Sequence, residues 1–116
     1  MSQAPVAVSP RHVTGAIVVL DIVGDLTGLA EAPLMDAYVA ASSGGARAII
    51  LNFNDLGYMN SSGIGLLVTL LIRVQRNKQT LLAVGLTDHY QQIFELTRLN
   101  EAIVIYPDEA RAVASI

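Results

Sequence analysis

The sequence contains no cysteine and no tryptophan, and aromatic residues make up only 5% of its 116 residues. Without cysteine the chain cannot form a disulfide framework, a thiolate zinc site, an iron–sulfur cluster or a thiol nucleophile. Charged residues are also few, at 15%, and the net charge of −3 argues against the clustered basic face that nucleic-acid binding requires.

Long hydrophobic runs are missing as well. No apolar run reaches the roughly 18–20 residues of a membrane helix, and the N-terminus lacks the basic start and apolar core of a secretory signal. We therefore expect a soluble, cytoplasmic protein that does not enter a membrane.

What the chain does have is apolar sequence, at 53%, in short runs that alternate with helical patterns. This length and composition predict one α/β domain over residues 1–116, with a mixed sheet that is packed by about four helices and is mainly parallel after an opening hairpin. The predicted elements are an edge strand over 6–13, a strand over 16–23, a helix over 30–43, a strand over 47–53, a helix over 61–77, a strand over 80–86, a helix from the cap Thr87 to about Leu99, a strand over 103–106 and a terminal helix that Pro107 opens.

The sequence Ser61-Ser62-Gly63-Ile64-Gly65 lies where a loop leaves a central strand and a helix begins. The first N–H groups of a helix have no partner inside it, and the macrodipole places partial positive charge there. A serine at this point can cap the helix, or it can accept a phosphoryl group that these N–H groups stabilise.

The helix that follows is apolar over much of its circumference. At about 100° per residue, one broad face contains Ile64, Leu67, Val68, Leu71, Ile72 and Val74, and we expect this face to meet the core. Leu66 and Leu70 fall on the opposite side, which predicts either an exposed patch that binds a partner or a second element that covers them.

The stretch 49–65, which reads IILNFNDLGYMNSSGIG, resembles the signature of STAS domains, particularly of the bacterial anti-sigma factor antagonists. The sequence GDLT at 24–27, and VGL at 84–86 followed by FELT at 94–97, support the resemblance. It covers nearly the whole chain and implies a mixed sheet packed by helices, as the order of elements predicts.

In that family the first serine of the pair, here Ser61, is phosphorylated by an anti-sigma factor that is also a serine kinase. The unmodified antagonist binds this kinase, phosphorylation weakens the complex, and a serine phosphatase restores it. The resemblance therefore implies a switch without enzymatic activity or cofactor. The expected partner-binding residues are Asp25, Asn60, Ser62, Gly63, Leu66 and Leu70.

Two positions depart from the family pattern, because Asn52 and Asn60 stand where the family usually has aspartates. Asparagine keeps the capping ability and the shape of aspartate but loses its charge. An alternative function therefore stays open: a STAS scaffold that is phosphorylated poorly and acts in a signalling assembly, or binds a transporter or a small ligand. Self-association also stays open.

Other chemistries have weaker support. The stretch Ser62-Gly63-Ile64-Gly65 lacks the leading glycine of a hydrolase nucleophile elbow. His89 beside Asp88 is more typical of a helix start than of a general base, and two isolated histidines do not make a metal site. The cations Arg73, Arg76 and Lys78 fit a helix C-terminus better than an anionic-ligand site.

Overall fold

The computed structural model describes residues 5–116 and confirms the α/β class, with a mixed five-stranded sheet and four α-helices in this range. The strands lie in the order β1-β2-β3-β4-β5, with β1 antiparallel to β2 and all other neighbours parallel. The elements are β1 (Ala7–His12), β2 (Ile17–Leu26), α1 (Glu31–Ser43), β3 (Ala48–Met59), α2 (Ser61–Arg76), β4 (Thr80–Val84), α3 (Asp88–Leu96), β5 (Val104–Tyr106) and α4 (Glu109–Ala114), with 3-10 turns at Gly28–Ala30 and Leu99–Glu101.

The sheet is covered on both faces. Alternate residues of β2, β3 and β4 point to a large core that α1, α2 and α3 complete, with Tyr38 and Phe94 among its largest fully buried side chains. The opposite residues form a smaller cluster that α4 covers through Ala112. Because the parallel strands are buried on both faces, their sequences are nearly continuous apolar runs.

The strands β2 and β3 are longer than predicted, since they continue past positions 23 and 53 to Leu26 and Met59. The two strands stay paired as far as Leu26 and Met59, with register shifts between Asp21 and Val23 and again between Gly24 and Asp25. Composition alone does not indicate strand in these segments because they are polar. The register shifts let the pairing of the two strands continue through polar sequence.

Two helix boundaries also differ from the prediction. α3 ends at Leu96 rather than near Leu99, and Arg98 has the left-handed conformation with φ of 61°. α4 begins at Glu109, and its cap is Asp108, whose side chain accepts a hydrogen bond from Arg111 N. Of the helices described, none is long and apolar enough to cross a membrane.

Candidate functional site

The candidate site lies at the edge of the sheet where β2 and β3 end and α2 begins. Asn60 is the N-cap of α2, and its Oδ1 accepts a hydrogen bond of 2.9 Å from Gly63 N. Ser61 is therefore the first helical residue, it is exposed, and its hydroxyl makes no hydrogen bond within the described residues. Since Asn60 supplies the cap, the hydroxyl of Ser61 is left available for chemistry.

Two hydrogen bonds fix the junction between β3 and α2. Asn60 N donates to Leu26 O over 3.3 Å, which ties the junction to the end of β2. Met59 N, at the end of β3, donates to the hydroxyl of Tyr90 over 2.9 Å, which ties the junction to α3. The sequence did not indicate this role of Tyr90, since a contact over 31 positions leaves no local signal.

Gly63 is buried against the end of β2, so its expected role in partner contact does not agree with its position. A Cβ at this position would overlap the carbonyl oxygen of Leu26 and lie 3.2 Å from Met59 Cγ. Ser62 lies against the turn after β2. Its Cβ is 3.5 Å from the position that a Cβ on Gly28 would occupy. Gly63 thus sets how closely α2 packs on β2.

The prediction that Leu66 and Leu70 form an exposed patch is wrong. Leu70 is fully buried, and half-buried Leu66 packs against the main core. The buried residues of α2 are Gly63, Leu67, Leu70 and Val74. Because α2 is apolar over a wide arc, the periodicity of its sequence did not determine how the helix is rotated about its own axis. The contact of Gly63 with Leu26 determines this rotation.

The exposed face of α2 instead aligns Ser61 with apolar side chains. Gly65, Val68 and Ile72 follow Ser61 at intervals of four, three and four residues, which places all four within about 40° of one line along the helix. Val68 and Ile72 are 39% and 45% exposed. We call these four residues the α2 stripe.

The remaining acidic candidate, Asp25, lies near the end of β2 and is partly buried. It is in register with Tyr58 on β3, and its Oδ1 lies 2.7 Å from where a Cβ on Gly57 would be. Asp25 is thus on the same edge of the sheet as Asn60.

Asn52, by contrast, does not face the α2 side of the sheet. Its Nδ2 donates to Asp21 Oδ1 over 2.8 Å, and Asp21 is also held by Arg11 through two hydrogen bonds of 2.9 Å. Arg11 continues to Glu109 on α4, on the face opposite α2. The hydrogen bond from Arg11 is the main cause that lowers the pKa of Asp21, and the bond from Asn52 lowers it further while desolvation opposes both.

Of the two histidines, His12 lies on the edge strand β1, and His89 adjoins the site only through Tyr90. His89 is exposed and packs edge-on against the ring of Tyr90, with centroids 4.9 Å apart. Over residues 5–116 no three His, Asp or Glu side chains gather as metal ligands would.

Comparison with known proteins agrees with this architecture. A family model described as "Mlab, STAS domain" matches residues 11–106. The chain belongs to the STAS family. Its similarity to the anti-sigma-B factor antagonist of Staphylococcus aureus (strain NCTC 8325) is 35% identity over 57 residues, which span 49% of this STAS chain and 53% of that protein. The match thus covers about half the length of the curated relatives.

Solved structures extend the similarity in fold to nearly the whole STAS chain. The anti-sigma factor antagonist SpoIIAA in its unphosphorylated form has a TM-score of 0.74 at 23% identity, over 95% of this chain and 98% of that one. The Bacillus cell fate determinant SpoIIAA in the phosphorylated form has a TM-score of 0.72 at 22% identity, over 95% and 100%.

Proposed function

We propose that this protein is an anti-sigma factor antagonist that binds an anti-sigma factor serine kinase and is released when Ser61 is phosphorylated. The observation that carries the proposal is the α2 stripe, where an exposed serine hydroxyl that caps nothing is aligned with exposed Val68 and Ile72. The half-length similarity to a Staphylococcus aureus antagonist, and the solved SpoIIAA in two phosphorylation states, support this function.

The helix start is suited to hold a phosphate. The backbone N–H groups of Ser61 and Ser62 have no partner within the described residues, and the macrodipole favours negative charge at this end. A phosphate on Ser61 would remain at the end of the stripe and add about −1.5 to −2 of charge.

That charge explains release. Val68 and Ile72 offer a kinase apolar contact area but no hydrogen-bond donor. A partner that covers the stripe would have to remove water from a phosphate whose oxygens the two N–H groups pair only in part, which is costly. The net charge of the chain would also change from −3 to roughly −5. We propose Asp25, Asn60 and Ser62 as contacts at the rim of this surface.

The proposal is tested by incubating the protein with the anti-sigma factor kinase of its own organism and ATP. We expect one added phosphate by mass spectrometry, absent in Ser61→Ala and retained in the matched control Ser62→Ala. Phosphate that persists in Ser61→Ala and disappears in Ser62→Ala would refute the assignment of the acceptor. A serine phosphatase should restore the original mass.

A second candidate, a STAS scaffold that is phosphorylated poorly, is favoured by one observation. Asn60, next to the acceptor, is neutral and directs its side-chain oxygen into the helix start. Asn60→Asp should keep this cap, because aspartate is an equally good N-cap. A large gain in phosphorylation rate with unchanged stability would favour the scaffold, whereas an unchanged rate would leave Asn60 without a role in recognition.

A further inference from the structure

Most of the chain's positive charge lies at the end of the molecule opposite Ser61. Three of the seven basic side chains form ion pairs with carboxylates, namely Arg11, Arg98 and Arg111. The other four make no ion pair within the described residues, and all lie where α2 ends or where β3 begins: Arg47, Arg73, Arg76 and Lys78.

A cleft of about 480 Å³ opens at this end of the molecule, and two of the four cations line it. Arg47 and Lys78 line it, together with the polar side chains of Ser42, Asn77 and Gln79, and no Asp or Glu among residues 5–116 lines it. The volume is within the range of small-molecule sites.

Hydrogen bonds make the polar side of the cleft rigid. Tyr38 Oη donates to Gln79 Oε1 over 2.7 Å and accepts from Asn77 Nδ2 over 2.6 Å. Gln79 Nε2 donates to Ser42 Oγ over 3.1 Å. The guanidinium of Arg73 stacks on the Tyr38 ring at 5.0 Å, which holds this charge beside the cleft.

The backbone at Lys78 is also unusual. Its φ is 56°, the left-handed conformation that follows many helices, where glycine or asparagine is the common choice. A lysine bears the steric cost of this conformation and places a cation on the rim of the cleft.

Neutralisation of helix ends does not account for so much charge. Both α1 and α2 end beside the cleft, and each C-terminus carries roughly half a negative charge. Four cations against about one negative charge leave a surplus near +3. Arg47 belongs to neither helix, so its position has no explanation in helix dipoles.

We propose that this cleft binds a small soluble ligand that carries phosphate groups. Arg47 and Lys78 would contact the phosphate oxygens, and the side chains of Ser42 and Asn77 would orient the ligand. Guanidinium and ammonium groups form the strongest hydrogen bonds with phosphate. The site is independent of Ser61, since the 16 residues of α2 separate the two by about 24 Å.

The test is a titration of the ¹⁵N-labelled chain with inorganic pyrophosphate at constant ionic strength. We expect saturable shifts of the amides of Gly45, Arg47, Asn77 and Lys78 below about 10 mM. The double variant Arg47→Gln and Lys78→Gln should weaken binding by at least about tenfold, because two charge-assisted contacts are lost.

The matched control is Arg98→Gln with Arg111→Gln, which removes the same charge elsewhere and should leave the affinity unchanged. An equal loss in this control, or shifts spread over every basic side chain, would show charge screening alone and overturn the proposal. Binding to vesicles with anionic phospholipid but not to pyrophosphate would also contradict it.

Discussion

At the scale of single residues, Asn52 and Asp21 form a complementary pair of hydrogen-bond donor and acceptor. The amide of Asn52 donates to a carboxylate that Arg11 already holds, and its own oxygen accepts from Asn54 Nδ2 over 2.7 Å. An aspartate at position 52 would put two carboxylates at hydrogen-bond distance. The departure from the family pattern therefore has a local structural reason that does not involve Ser61.

We expect Asn52→Asp to lower the free energy of unfolding by about 2 kcal/mol at neutral pH, because a charge-assisted hydrogen bond becomes a repulsion. Urea unfolding measures this change. The control Asn100→Asp replaces an exposed asparagine and should change stability by less than about 0.5 kcal/mol. Equal effects of the two variants would show that the contact with Asp21 contributes nothing.

The lowered pKa of Asp21 predicts a particular pH dependence. An unfolded aspartate titrates near 3.9, so the contribution of Asp21 to stability is fully present above that value and is lost as the pH falls through the folded pKa. Arg11 stays charged throughout, since its pKa is raised by the same contact.

Between about pH 5 and pH 2, the stability of Asp21→Asn should therefore decline less steeply than that of the wild type. Denaturant unfolding at a series of pH values provides the comparison. The other carboxylates are common to both proteins, and curves that run parallel would contradict the role assigned to the Arg11–Asp21 pair.

At the scale of elements, the two glycines in the first turns of α2 have opposite roles. Gly63 allows the helix to contact the Leu26 carbonyl, whereas a Cβ on Gly65 would meet nothing within 4 Å. Packing within the domain requires Gly63, whereas no contact within the domain requires Gly65, which lowers the stability of the helix.

We expect Gly63→Ala to destabilise the protein by about 2–3 kcal/mol, because α2 has to move off β2. Gly65→Ala should stabilise it by about 0.5–1 kcal/mol, as expected for a helix interior. Thermal unfolding of both variants tests the pair. Similar losses of stability in both would refute the close contact as the reason for Gly63.

The order of elements was predictable because β-branched runs and helix starts are local signals. The α/β class, the mixed sheet and the start of α2 at Ser61 were confirmed. The extension of β2 and β3 was not predictable, since pairing between the strands overrides polar sequence. The rotation of α2, and hence the burial of Leu70, depends on a long-range contact of Gly63 that periodicity does not encode.

At the scale of the whole molecule, the ends differ in charge. Asp25, Asp55 and Asp88 lie near the edge where the parallel strands end, and the cations that form no ion pair lie at the other edge. The starts of α1, α2 and α3 lie at the acidic edge, so the helix dipoles favour this separation. The two proposed sites are thus different electrostatic environments joined by one helix.

We propose that the α2 stripe binds the kinase and that charge at Ser61 ends this binding. The most direct measurement is calorimetry of the kinase with the unmodified protein, the Ser61-phosphorylated protein, Val68→Ser and Val104→Ser. Val104 is a matched control, since it is exposed by 44% against 39% for Val68 but lies on β5. We predict that phosphorylation and Val68→Ser each weaken binding by at least about tenfold, with Val104→Ser unchanged. Wild-type affinity of both the phosphorylated protein and Val68→Ser would contradict this mechanism.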